Sequence, residues 1–172
     1  MKTRQIAYTS ALAALSVLIL YLSFVMPTAR IAAIALAGIL PAILVVKYGI
    51  SSGFVLYLVV SLLSLILLPN KSAAILYIVL FGHYPMIKSL IERIGRLWVE
   101  WILKLALFNM LATGLLLLAP GLLAGFVAFV DFSSFWLIIA AIYFIGNIVF
   151  IVYDIGFTGL IAVFINRIAR WM

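Results

Sequence analysis

The chain offers little reactive material, so each polar residue inside an apolar run carries weight. The stretch LFGHYPMIKSLIER, from Leu80 to Arg93, holds the only histidine of the 172 residues, His83, beside Tyr84 and Pro85. Asn109, Tyr143 and Asn147 lie inside later apolar runs, and Asp154 is the only acid well within one. Polar groups are costly in hydrocarbon and face either protein or a water-filled cavity. His83, Asn109 and Asn147 count to similar depth, which leaves two uses open. They line a ligand cavity, with Tyr84 and Tyr143 as further ligand-binding candidates, or each satisfies a neighbouring helix or the carbonyl that Pro85 frees.

Asp154 needs a counter-charge, and Lys104 and Lys47 stand at comparable depth, so a structural ion pair is expected. A proton relay would need a chain of titratable groups, and His83 alone is available for it. Lys88, Glu92 and Arg96 follow i,i+4 spacing, as do Glu100 and Lys104, which reads as a solvated or headgroup-facing helix end. The sharper reading of the same residues is an amphipathic elbow that meets a partner or anionic lipid. No Gly-rich phosphate loop, HExxH, nucleophile elbow or paired carboxylate is present, so no enzyme is expected. With no cysteine and one histidine, neither a metal site nor a cofactor is expected.

The elements that hold these residues follow from composition. Hydrophobic residues make up 69% of the chain and charged ones 9%, against roughly 45–50% apolar in a soluble domain. That composition predicts an all-α integral membrane protein, a single domain over residues 1–172. Met-Lys-Thr-Arg before an apolar run mimics a secretory signal, but the run has 21 residues and no clear small-residue cleavage site, so it is read as a span.

Six transmembrane helices in one compact bundle are expected, each needing about 20 apolar residues. Ile6–Met26 ends at Pro27, Ile31–Tyr48 contains Pro41, and Ile50–Leu68 runs into the turn Pro69-Asn70-Lys71. Ser72–Ile91 must carry Gly82 and Pro85 inside it and bend there. Val99–Ala119 ends at Pro120-Gly121, and LLAGFVAFVDFSSF is an apolar connector against protein or interface. Phe135–Ile165, at 31 residues, must tilt, bend near Gly146 or Gly156, or leave the bilayer as a tail.

Six crossings sort the charges. Lys2, Arg4, Lys47, Lys88, Arg93, Arg96, Lys104, Arg167 and Arg170 fall on one side, and Arg30 and Lys71 on the other. The positive-inside rule then places both termini in the cytoplasm, with Trp98, Trp101 and Trp171 as an aromatic belt on the basic side. The net charge of +7 therefore marks orientation and not nucleic-acid binding. Membrane lipid is the expected surrounding.

In the first span, AYTSALAA sets Ala7 and Ala11 four apart, with Ser10 and Ala14 on a neighbouring line. Small residues so spaced admit another helix closely, whether from a partner or from the same chain.

With the spans placed, the chain resembles the substrate-binding S components of energy-coupling factor (ECF) transporters. The resemblance rests on the length, on MKTR followed by SALAALSVLIL, on ILPAILVVKYGISSGFVLY with Pro41, Gly49 and Gly53, and on the basic end INRIARWM. It implies a bacterial cytoplasmic membrane protein that captures a vitamin-like or other small nutrient in its outward half. It also implies that the face with Ala7 and Ala11 docks on a transmembrane coupling subunit driven by ATP-binding-cassette ATPases. The outer side is poor in polar groups, with Arg30, Asn70, Lys71, Asp131, Ser133 and Ser134, which argues against a highly charged substrate. The competing reading is a membrane scaffold without a ligand, like the MreD-type cell-shape proteins.

Overall fold

A computed structural model describes residues 3–26, 29–69, 71–118 and 135–168, and every regular element among them is helical. The first three helices are α1 (Thr3–Val25), α2 (Arg30–Tyr48) and α3 (Ile50–Leu67). Then come α4 (Lys71–Leu76), a π-helical segment (Tyr77–Phe81), α5 (Tyr84–Ile91) and a 3-10 turn (Glu92–Ile94). The chain continues in α6 (Leu97–Leu118) and α7 (Phe135–Ile168). Six helical stretches are long and apolar enough to cross a bilayer, the fourth being Lys71–Ile94 taken as a whole. The expected connector, Asp131, Ser133, Ser134, Asn70, Lys2, Arg170 and Trp171 lie outside the described residues.

The first helix packs mostly by its small residues and turns most of its large ones outward. In α1 the buried face is Thr9, Ala13, Ser16, Leu20 and Ser23, while Leu15, Leu18 and Leu22 are exposed. That inversion suits helices in lipid, where close backbone approach and not escape from water drives association. The buried hydroxyls return to their own helix: Thr9 donates to the Gln5 carbonyl at 2.9 Å and Ser16 to Leu12 at 2.8 Å. Gln5 Nε2 reaches across to Ser52 Oγ at 2.6 Å and ties α1 to α3.

Two glycines make links that other residues would strain. Gly49, at φ 88°, is the single residue between α2 and α3, and Gly95, at φ 68°, turns the chain from the 3-10 turn toward α6. At the opposite end, Arg30 donates to the Ser72 hydroxyl. Beside it, Lys71 Nζ caps α3 through the Leu65 and Leu68 carbonyls at 2.6 and 2.9 Å.

The fourth stretch departs from the expected single bent helix. It is two helical pieces joined by a π turn and a break at Gly82-His83. Gly82 N–H donates to the Tyr77 carbonyl at 2.7 Å, five residues back, and Pro85 has no N–H to continue the ladder. A Cβ on Gly82 would stand 2.8 Å from the rings of Tyr57 and Tyr77, so only glycine lets the break sit this close to α3. The last stretch is one unbroken helix of 34 residues, interrupted at neither Gly146 nor Gly156.

Candidate functional site

After the break, Tyr84, Lys88 and Glu92 follow one another at four-residue intervals and so share one face. Across from them stand Lys104 of α6 and Asp154 of α7, and the five side chains close a buried ionic ring. Lys88 Nζ donates to Asp154 Oδ1 and, at 2.7 Å, to Glu92 Oε1. Lys104 Nζ donates to the same Glu92 oxygen at 2.8 Å and to Asp154 Oδ2 at 3.1 Å. The Tyr84 hydroxyl adds a third donor to Asp154, at 2.5 Å from Oδ1. The side chains of Lys88, Lys104 and Asp154 are at most 5% exposed, and Glu92 alone, at 40%, reaches the surface.

Two cations and two anions make the ring formally neutral, which is what allows it to be buried. Each charge has opposite charge on two sides, so the attraction offsets a desolvation penalty of several kcal/mol per ion. The lysines also lie near rings, Lys88 at 5.5 Å from Phe157 and Lys104 at 5.6 Å from Trp101.

The ring changes three expectations. Lys47 does not approach Asp154; its ammonium lies 3.9 Å over the Tyr8 ring and 5.6 Å from that of Tyr48, where α1 and α2 meet. Lys88 is not on a solvated helix end, because α6 and α7 cover it, while Arg93 and Arg96 stay exposed beyond the helix. Lys104 turns away from its i,i+4 neighbour Glu100 toward Glu92 and Asp154, whose carboxylates are held in place by the packed helices.

The mid-span polar residues form two groups and not one. Asn109 and Asn147 exchange side-chain amide hydrogen bonds at 2.9 and 3.0 Å, and the Thr113 and Tyr143 hydroxyls meet one turn further along at 2.6 Å. This pairing clamps α6 to α7. His83 is elsewhere: its Nδ1 lies 3.1 Å from the Ile78 carbonyl, and its ring meets Tyr57 edge-on at 6.1 Å. The Tyr57 hydroxyl donates to the same carbonyl at 3.2 Å. His83 therefore tends the backbone where the helix breaks, although the carbonyl is that of Ile78, before the break, and not the one Pro85 frees.

None of the five ligand-binding candidates lines the larger of two described cavities. That cavity, about 490 Å³, lies between α2, the π segment, α6 and α7, with Ile34, Phe81, Phe108, Gly146, Phe150 and Tyr153 on its wall. Its volume falls within the roughly 300–1,000 Å³ of small-molecule sites. Among the described residues none that lines it is charged. It occupies the half of the spans toward Arg30 and Lys71, and the ionic ring occupies the other half. Sequence reading misses it because Ile, Phe and Val on a cavity wall are chemically the same as those facing lipid. Lys88 left a fainter trace: a lysine one turn from both Tyr84 and Glu92 on a proline-led helix.

On α1, Ala7, Ser10, Ala11 and Ala14 are all exposed, on the side away from Thr9, Ala13 and Ser16. Among the described residues nothing of this chain covers that face. No family model, no curated protein and no solved structure matches the chain.

Proposed function

We propose that the chain is a membrane-embedded substrate-capture subunit of the ECF type, binding an uncharged, largely apolar small nutrient. A transmembrane coupling subunit and its ATPases would supply the energy. The observation that carries this reading is the 490 Å³ apolar cavity among α2, the π segment, α6 and α7. A purely lateral scaffold has no need of a half-open recess of that size between its helices, which forfeits packing contacts on its walls. The exposed small-residue face of α1 supports a partner helix as the second requirement of such a subunit.

The test is to identify the small molecules that copurify with the protein by mass spectrometry, beside a Gly146→Leu variant. A Cβ at Gly146 would meet the Phe108 ring at 3.5 Å in ordinary contact, so a longer side chain fills the cavity from its wall. One uncharged compound in the wild type, lost from the variant, is the expected result. Bilayer phospholipid alone in both preparations would overturn the capture reading and favour the scaffold.

A further inference from the structure

The cavity wall and the ionic ring meet at Tyr84 and along α7, where the wall residue Tyr153 directly precedes Asp154. Tyr84 is 2% exposed, and its hydroxyl is bound to Asp154 of the ring. Its aromatic face belongs to the cavity wall's support: the ring meets Phe150 edge-on at 5.4 Å and Tyr153 at 5.7 Å, and both of those line the cavity. Phe150 in turn stacks on Phe108, another wall residue, at 4.7 Å. A ligand that displaces Phe150 or Tyr153 must therefore move Tyr84 or compress it, since packed interiors transmit strain.

Tyr84 also stands where the backbone can respond. It is the first residue of α5, immediately after Gly82-His83, and α5 carries Lys88 and leads into Glu92. The hydrogen-bond ladder is interrupted at that point, so α5 can pivot against the π segment without breaking a continuous helix. Glu92, the half-exposed member, is the part of the ring that solvent can report on.

We propose that Tyr84 couples occupancy of the apolar cavity to the ionic ring, so that a ligand in one half of the membrane span reorganises Glu92 and the adjoining turn at the other end. This inference rests on the capture reading above and assigns its regulation. A filled cavity is thereby signalled to the side of the chain where the basic residues lie.

The test uses the absence of cysteine. Ile94→Cys, at a position 46% exposed two residues beyond Glu92, supplies the only thiol in a bilayer-reconstituted chain. Naphthalene serves as the uncharged apolar probe. Binding is read as a rise in melting temperature that Gly146→Leu removes, and coupling as the rate of reaction of the thiol with a water-soluble maleimide. With Tyr84 intact, naphthalene is expected to change that rate at least about fivefold, the low end of ordinary coupling between sites. With Tyr84→Phe added, the temperature rise persists and the rate no longer responds. Should Tyr84→Phe fail to fold, Phe157→Leu keeps the hydroxyl bond and loosens the ring of Tyr84, which Phe157 meets edge-on at 5.9 Å without lining the cavity, and it should weaken the response while naphthalene still binds.

The outcomes separate the two claims. A temperature rise equal in wild type and Gly146→Leu, or none in either, overturns the cavity reading and this inference with it. A cavity-dependent rise with no change in maleimide rate, or with the same change in Tyr84→Phe, overturns the coupling alone.

Discussion

Lys104 and Asp154, fifty residues apart in the chain, come within 3.1 Å of each other inside a ring that also holds Lys88 and Glu92. Asp154 takes three donors, so removing it leaves two lysines buried with only the half-exposed Glu92 between them. Asp154→Ala is expected to cost about 3–5 kcal/mol of folding free energy, as the loss of one partner of a buried pair does. Denaturant unfolding in detergent measures it. Joint replacement by Lys88→Met, Lys104→Met and Asp154→Leu should recover most of that loss, because apolar side chains of similar volume need no counter-charge. A cost below about 1 kcal/mol for Asp154→Ala, the range of an exposed pair, would show that water reaches the ring.

At the helix break, the Ile78 carbonyl is served by both Tyr57 and His83. His83→Gln, which keeps a side-chain donor, should therefore be milder than His83→Leu. Either His83→Leu or Tyr57→Phe alone leaves the carbonyl one donor and should cost about 1 kcal/mol. Together they orphan it, and the combined loss should exceed the sum by a further ~1–2 kcal/mol. A double-mutant cycle on unfolding free energies decides this, and additivity within error would mean that the two donors act independently.

Orientation rests on charges that are free to act at the membrane surface. Lys88 and Lys104 have acid partners in the ring and drop out of the comparison, yet Lys2, Arg4, Lys47, Arg93, Arg96, Arg167 and Arg170 still oppose only Arg30 and Lys71. Both termini are therefore expected in the cytoplasm. Single thiols introduced by Lys71→Cys, Arg4→Cys and Arg167→Cys test it in intact cells. An impermeant maleimide should modify the first and spare the other two, and the opposite pattern would invert the topology.

The spans were legible because a bilayer demands about 20 apolar residues per crossing and little else. Gly49 and Lys71 marked their ends for local reasons, a positive φ and a cap on α3. Asp154 announced itself as a charge that must find a partner, and depth offered Lys104 and Lys47 alike, of which Lys104 meets it and Lys47 lies over Tyr8 instead. Lys88 could not be named, since its i,i+4 relation to Glu92 looks the same on a solvated helix, and only the folded bundle sets it against Asp154. The π turn at Tyr77–Phe81 leaves no mark in composition, because it is a shift of hydrogen-bond register. Depth groups His83 with Asn109 and Asn147 but ignores rotation about the helix axis, and rotation is what sends it toward Tyr57 instead.

Rotation also decides what the first helix can do. Ala13 is 4% exposed and lies in the core, whereas Ala7 and Ala11 of the same helix are exposed. Ala13→Trp should therefore overpack the core and cost about 1–3 kcal/mol or more. Ala7→Trp with Ala11→Trp should leave the melting temperature and naphthalene binding nearly unchanged. Two indoles would nevertheless keep another helix from approaching backbone to backbone, the contact that stabilises helix pairs in lipid. On the capture reading, affinity-tagged wild-type protein brings down a membrane coupling subunit with its ATPases, and the double variant loses them while still binding naphthalene. Joint loss of folding and binding would mean that Ala7 and Ala11 pack within the chain, and undiminished copurification would place the docking face on another helix.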